Sequence, residues 1–520
     1  MHPFLERHAA DVLGMLSGFD RLRLRGTLRR IANVQGMGSF LTEQRVLLKD
    51  FGEYVDRVTT EVKRGTEAVA TAADRPVIYL ARPSDDKEAR ARMIAAQDQI
   101  ETGLVCVLKS VEVCWSYDLH RNRDTKRLEL VPAPRKCLHY YHYHLHPALG
   151  FLHVRLQSWF PFTVHVCLNG REWLARQLDA ARLGYRRREN CFVWLEDVAA
   201  TQRLADAQLR TAWAPLLDGL VAAANPAHAA LFAAYPLPYY WSVEQSEWAS
   251  DVLFKDARRL EALYPPLVTH AITQLGSRDV MRFLGKWVPA CGGVGGNFGG
   301  EVVSDLVARP EGVRVKHQVN GNRVKMYNKQ GSVLRVETVI NQARDLKVFR
   351  PKEGDPDGPK QWRYLRKGVA DTHRRAALSQ QTNERYLDAL TAVTEPTALG
   401  VLSAPVCRRV RFHGYPVRAL NPLAPEDAAL LTAIARGEFL ITGCRNRDLR
   451  RLLFPPTHDA ALTRRRGGMV TRKLRLLRAH GLVRKVSHTH RYVVSPNGRV
   501  VLTALLAAQQ ADIATLTQAA

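Results

Sequence analysis

Residues 459–499 read DAALTRRRGGMVTRKLRLLRAHGLVRKVSHTHRYVVSPNGR. The first half has helical spacing: Val470, Leu474 and Leu477 lie at i, i+4 and i+7 and share one face, while Arg472 and Arg475 project from the other. Gly481 is placed to end that helix. Beyond it a strand, a polar tip and a second strand closing in a turn form a basic hairpin. Two helical segments precede this stretch, EDAALLTAIARG from residue 426 and NRDLRRLLF from residue 446, so residues 425–520 are expected to fold as one domain. Between 425 and 516 stand 16 Lys+Arg against 6 Asp+Glu, a net of +10, concentrated on the third helix and the hairpin.

That excess belongs to the whole chain. Its 520 residues carry 76 Lys+Arg and 50 Asp+Glu, a formal net charge of +26. Such a charge bears on partners rather than on fold, and nucleic acid is the polyanion it fits best: DNA first, RNA as the alternative. With 46% hydrophobic and 24% charged residues the composition is globular, and the length suggests about three domains. No apolar run approaches the roughly 18 residues of a membrane span, so no membrane partner is expected. The start, MHPFLERHAADVLGML, lacks the apolar core of a secretory signal, which points to the cytoplasm. Eight scattered cysteines without a C-x-x-C pair read as buried free thiols rather than a structural zinc site of the usual spacing.

The expected fold class is a multidomain α+β and α/β chain with mixed sheets. In residues 1–135, FDRLRLRGTLRRI alternates with period two, and RPVIYL, KEARARMIAAQDQI and GLVCVLKSVEV give a strand, a helix and a strand. Residues 136–394 form a central sheet-and-helix domain. It opens on the aromatic, histidine-rich tract CLHYYHYHLHPALGFLHVRLQSWFPFTVHVCLNG, and its helix NGREWLARQLDAARLG buries Trp173, Leu174, Leu178 and Ala181. Further on, GVRVKHQVNGNRVKMYNKQGSVLRVETVI alternates around an Asn-Gly dipeptide, a strong hairpin signal. The glycine run CGGVGGNFGG, residues 291–300, is a connection and lacks the Lys-Ser/Thr of a phosphate loop. Residues 395–424 read as a linker.

Three helices followed by a basic hairpin resemble the winged-helix domains of MarR-like regulators, above all in LLRAHGLVRK and HRYVVSPNGR. The resemblance implies a recognition helix in a DNA major groove and a wing on phosphates, with Arg464, Arg465, Arg466, Arg472, Lys473, Arg475, Arg484, Lys485, His488, His490 and Arg491 as the contacting residues. MarR-like proteins dimerise, and the helical tail TALLAAQQADIATL could serve a homodimer. The whole chain also resembles a bacterial protein group without an assigned activity, on runs such as GFDRLRLRGTL, VLLKDFG and RPKEGDPDGP.

A narrower resemblance concerns mechanism. NRVKMYNKQGSVLRVETVI looks like the Lys, Tyr, Lys, then Arg-x-Glu strand pair of phage and plasmid rolling-circle replication initiators, metal-dependent endonucleases of mobile elements. It implies a Mg or Mn ion on a His-x-His pair and a helix-borne tyrosine nucleophile. Two histidines at i and i+2 share a strand face, which makes His144 and His146 the candidate ligands, with stacked core residues as the alternative. Tyr386 on NERYLDAL is then the candidate nucleophile, and Tyr327 and Glu337 lie in the strands that carry the resemblance. Glu337 reads as a ligand or acid, or as a salt bridge to Lys325 or Arg335. Asp20, Glu112 and Asp118, each near the end of an apolar strand, could form a carboxylate cluster, with capping and ion pairing as the alternative. Basic residues among aromatics in CLHYYHYHLH and LGYRRRENCFVWL would suit single strands.

Overall fold

The computed structural model describes residues 2–226, 230–232, 236–285, 301–309, 312–355, 357–391, 399–436, 439, 443–487 and 489–510; the glycine run 291–300 lies outside them. The fold is mixed α and β, and its segments group into two compact units, residues 15–253 with 337–380, and residues 1–14 with 254–336 and 381–520. This partition differs from the sequence expectation, because the 135/136 boundary falls inside one strand, Leu128–His146.

The first unit is built on a sheet. Its strands are β1 (Val12–Thr27, from Met15 on), β2 (Val77–Tyr79), β3 (Gly103–Arg121), β4 (Leu128–His146), β5 (Gly150–Gln157), β6 (Val164–Asn169) and β9 (Tyr240–Phe254), together with Glu337 onward of the strand Val333–Ile340. A separate hairpin joins β7 (Tyr185–Arg188) to β8 (Cys191–Leu195). The sheet order is Val333–Ile340, β9, β1, β6, β5, β4, β3, β2. β2 and β3 run parallel, as a strand–helix–strand unit requires, and the pairs from β3 to β6 and on to β1 are antiparallel.

Period two decides the faces. On β1, Leu22, Leu24 and Gly26 are buried while Arg23 and Arg25 are exposed. On β6, Val164, Val166 and Leu168 join them, and with Val154 and Leu156 of β5 they pack under Trp213, Leu217, Val221 and Ala70. The opposite face carries a polar ladder, Arg25, His165, Arg155 and Tyr141 in register across four strands, with Arg23, Cys167, His153 and Tyr143 as the next rung.

The helix Gly170–Ala181 leaves β6 without a loop. Asn169 caps it, accepting from the amides of Arg171 and Glu172 at 3.0 Å each. Residue 170 must be glycine, because a Cβ there would lie 2.1 Å from the Phe19 carbonyl oxygen. The next residue, Arg171, runs beneath the sheet past Gly18. Its guanidinium pairs with Asp251 of β9 at 2.9 Å and donates to the Ala249 carbonyl at 3.1 Å, both charged side chains having no exposed surface.

In the second unit the Asn-Gly hairpin is present as expected. Gly312–Val319 and Asn322–Lys329 pair antiparallel with Val319 opposite Asn322, and Asn320 takes a positive φ of 52°. The C-terminal elements follow in the order helix Pro425–Ile434, strand Cys444–Arg445, helix Asn446–Leu453, helix Ala460–Ala479, strand Val483–Lys485, strand Arg491–Val494 and helix Pro496–Gln510. The three strands form an antiparallel sheet with Arg491–Val494 in the middle. Leu430, Leu449, Val470, Leu474, Leu477 and Val494 are buried together. Val406 and Leu420 join this same core and residues 410–417 form a small hairpin, so the described part of 395–424 is folded rather than a free linker.

Replacing one member of the Arg171–Asp251 pair leaves a buried charge without compensation. Arg171→Met is expected to cost about 3–5 kcal/mol in urea denaturation followed by near-UV circular dichroism, and Arg171→Met with Asp251→Leu to recover most of that loss. A double variant no more stable than the single one would contradict this account.

Candidate functional site

The first candidate surface is the helix Ala460–Ala479 and the strands after it. Asp459 caps the helix, accepting from the amides of Ala461 and Leu462. Arg464, Arg465, Arg472 and Arg475 are exposed, and Arg464, Gly468, Arg472 and Arg475 follow one another at i, i+4, i+8 and i+11, a single stripe opposite the buried Val470 and Leu474. Arg466 is drawn inward, donating to the Pro455 carbonyl at 2.7 Å and lying over the Phe454 ring. Lys473 pairs with Glu426 at 3.5 Å. Arg475 also stands 5.6 Å from the Tyr415 ring centre. Arg484, Lys485 and His490 are exposed on the hairpin, and Arg491 is half-buried opposite Arg445; His488 lies outside the described residues. Arg418 forms two bonds to the carboxylate of Asp427 in the helix Pro425–Ile434, at 2.7 and 2.6 Å, and the hydrogen bonds from Arg418 hold that carboxyl below its usual range.

The second candidate site is acidic. Asp20 of β1, Glu247 of β9 and Glu337 of the strand Val333–Ile340 come from three neighbouring strands, and one carboxylate oxygen of each lies within 4.8 Å of the others. Asp20 and Glu337 are buried and Glu247 is partly exposed. The turn between β7 and β8 reaches this cluster, Asn190 donating to Asp20 Oδ1 at 2.6 Å, and that hairpin carries Arg186, Arg187 and Arg188. Hard oxygen donors so arranged can hold a divalent cation such as Mg or Mn.

Glu337 and Asp20 were both legible as candidates, yet their companions were not. Glu112 and Asp118 do not join Asp20. Glu112 accepts from Tyr141, Ser110 and Arg155 at 2.7 Å each, and Asp118 pairs with Arg135 at 2.6 Å. Glu247, in SVEQSEWAS, stands out by no local pattern.

The residues expected for the initiator-like chemistry are placed otherwise. Tyr386 is fully buried, its hydroxyl 3.0 Å from His317 Nε2, whose Nδ1 lies 2.7 Å from Ser304 Oγ. Burial holds the phenol well above its ordinary pKa, so it is a core residue and not an accessible nucleophile. His146 Nδ1 accepts from the amides of Ala148 and Leu149 and closes the β4–β5 turn. His144 is half-buried, and among the described residues no third ligand gathers with these two histidines. Tyr327 is half-buried opposite Arg314.

Sequence reasoning also passed over an aromatic hairpin. The strands Lys347–Arg350 and Gln361–Tyr364 pair Phe349 with Trp362 and Lys347 with Tyr364. Phe349, Trp362 and Tyr364 are 57%, 69% and 59% exposed, enough for bases to stack on them, and Lys347 lies 5.3 Å from the Tyr364 ring centre. The apolar residues on this short hairpin face outward, which a burial pattern cannot anticipate.

No family model, no curated protein and no solved structure matches the chain. Among the described residues no helix is long and apolar enough to cross a membrane.

Burial pushes His142 down to about 3, His144 to about 4 and His153 to about 3, from an ordinary value near 6.5. The folded pKa lies below the unfolded one, so acidification loads protons onto the unfolded chain first. The stabilisation is complete above about pH 6.5 and declines as pH falls toward about 4. The thermal midpoint is expected to drop from about pH 7 to about pH 5, and a His142→Leu variant to show a shallower drop. Parallel profiles for the two proteins would rule out this assignment.

Proposed function

We propose that this chain is a nucleic-acid-binding protein whose C-terminal region is a winged helix that binds double-stranded DNA. The observation that carries this reading is the exposed arginine stripe Arg464, Arg472 and Arg475 on the helix Ala460–Ala479, set in a helix–strand–helix–helix–strand–strand order. In that arrangement the third helix enters the major groove while the hairpin, with Arg484, Lys485, His490 and Arg491, follows the phosphates. The A-form major groove is too deep and narrow for such a helix, which favours DNA over RNA. The formal net charge of +26 supplies the counterion-release term common to all sequences. With Gly468 midway along the stripe and open space where its Cβ would be, the helix backbone can approach the duplex closely.

A second reading is favoured by the Asp20–Glu247–Glu337 cluster: metal-dependent cleavage or transfer of a DNA phosphodiester, on the kind of mobile-element DNA that replication initiators act on. Mg or Mn held there would polarise the scissile phosphate and generate a hydroxide nucleophile at neutral pH. Water rather than Tyr386 is the attacking group in this reading. The aromatic hairpin and the arginine-rich β7–β8 turn offer stacking and charge for a strand beside the cluster's own unit.

Binding selection on a randomised duplex pool, followed by titration at several salt concentrations, tests the first reading. Arg472→Ala and Arg475→Ala are expected to weaken specific binding by about 1–3 kcal/mol where either contacts a base. Equal loss on every sequence, with a smaller salt slope, would mark phosphate contacts, and duplex affinity indifferent to both substitutions would remove the reading. For the second reading, Glu337→Gln and Asp20→Asn are expected to abolish Mn-dependent nicking while duplex affinity is kept. A wild type that binds tightly and never nicks in Mg or Mn would remove it.

A further inference from the structure

We propose that Cys114, Cys137 and His139 form a zinc-binding site with three protein ligands on the polar face of the first unit's sheet. The argument starts from strand geometry. Cys137 and His139 stand at i and i+2 on β4 and so share a face. β3 runs antiparallel beside them with Glu112 opposite Cys137 and Ser110 opposite His139, which puts Cys114 on the same face as the diagonal neighbour of Cys137.

The ligand atoms converge. The two sulfurs are 3.0 Å apart, Cys137 Sγ lies 3.9 Å from His139 Nδ1, a nitrogen that also lies 3.2 Å from the Cys137 carbonyl oxygen, and one donor atom from each residue falls within 4.8 Å of the other two. A tetrahedral zinc with bonds of about 2.3 Å to sulfur and 2.0–2.1 Å to nitrogen spaces its ligand atoms about 3.4–3.8 Å apart. To reach that spacing the two sulfurs would part by somewhat under about 1 Å, while Cys137 Sγ and His139 Nδ1 would close by a few tenths of an ångström. Both cysteines are free thiols.

The surroundings fit a site rather than a pair of core thiols. Cys137 and His139 are buried, which fixes two ligands, and Cys114 is partly exposed, which leaves the fourth vertex toward solvent. Three protein ligands with an open fourth position is the arrangement in which zinc keeps a water. Glu112 is the nearest carboxylate along the strand, but its oxygens accept from Tyr141, Ser110 and Arg155, so it braces β3 and β4 instead of closing the site. A thiolate and imidazole donor set selects zinc and rejects Mg and Mn, the opposite choice from the Asp20–Glu247–Glu337 cluster. The two sites share no residue, so this proposal stands or falls apart from the one on phosphodiester chemistry.

The experiment uses the full chain, purified under reducing conditions without chelator. Elemental analysis is expected to find about one zinc per chain, and after chelation and cobalt titration the absorption spectrum should show thiolate-to-cobalt charge transfer together with the intense visible bands of tetrahedral Co. Cys114→Ser and His139→Ala are expected to weaken cobalt binding at least about tenfold, while Cys407→Ala, an exposed thiol in the other unit, leaves it unchanged. Circular dichroism checks that each variant is folded; should one fail, the wild-type cobalt spectrum decides alone. A reduced, folded wild type with no cobalt–thiolate band, metal content indifferent to both substitutions, or a Cys114–Cys137 disulfide in reduced protein would each overturn the proposal.

Discussion

The buried pair between Arg171 and Asp251 fixes the register on which the first unit depends. Arg171 belongs to the helix that leaves β6, and Asp251 belongs to β9, so the contact of two fully buried charges reaches from one neighbour of β1 to the other. Charges in such a place stabilise little compared with a well-packed apolar pair, but they forbid alternatives, because any shift leaves them uncompensated. In a sheet a slip of one residue moves every side chain to the opposite face. With β9, β1 and β6 locked, Asp20 and Glu247 meet on neighbouring strands, and Arg23 and Arg25 line up with the histidines and Arg155 of the polar face.

What could be read from the sequence was what local spacing determines. The alternation in FDRLRLRG, the Asn-Gly hairpin, the basic third helix and the strands after it all occur where period and turn chemistry put them. The acidic cluster was not legible as a set. Asp20, Glu247 and Glu337 are each more than 80 residues from the next, and only strand order makes them neighbours. Apolar strand ends suggested Glu112 and Asp118 as companions for Asp20, but strand ends say nothing about which strands lie side by side. The division into units was hidden for a related reason: composition shifts mark linkers between contiguous domains, and these units are assembled from interrupted segments. The i, i+2 rule was applied to the histidines of the β4 tract, where His146 serves a turn and His144 is half-buried; the same rule seven residues earlier picks out Cys137 and His139.

The acidic cluster sits in a chain whose formal net charge is +26. Some carboxylates of this positively charged chain are held in ion pairs with arginine, as at Asp371, where Arg366 and Arg374 lie within 2.8 Å and desolvation is outweighed by their hydrogen bonds. Asp20, Glu247 and Glu337 bring three carboxylates together on adjacent strands, and like charges at this distance oppose ionisation unless positive charge shares the space. On the proposed reading of this cluster as a divalent-cation site, the arginines of β1 and of the β7–β8 hairpin would suit a phosphate substrate.

The interleaving of the two units also sets an order of assembly on the ribosome. β1 and β9 can pair once residue 253 has emerged, but Glu337 follows an 83-residue stretch, 254–336, that belongs to the other unit. At about 5–20 residues per second that stretch takes roughly 4–17 s to make. During this interval β9 is an open edge, able to pair with any exposed strand, and the acidic cluster has only two of its three members. The acidic cluster is thus incomplete until residue 337 has been made, and a ribosome that stalls before that point releases a product lacking the third carboxylate.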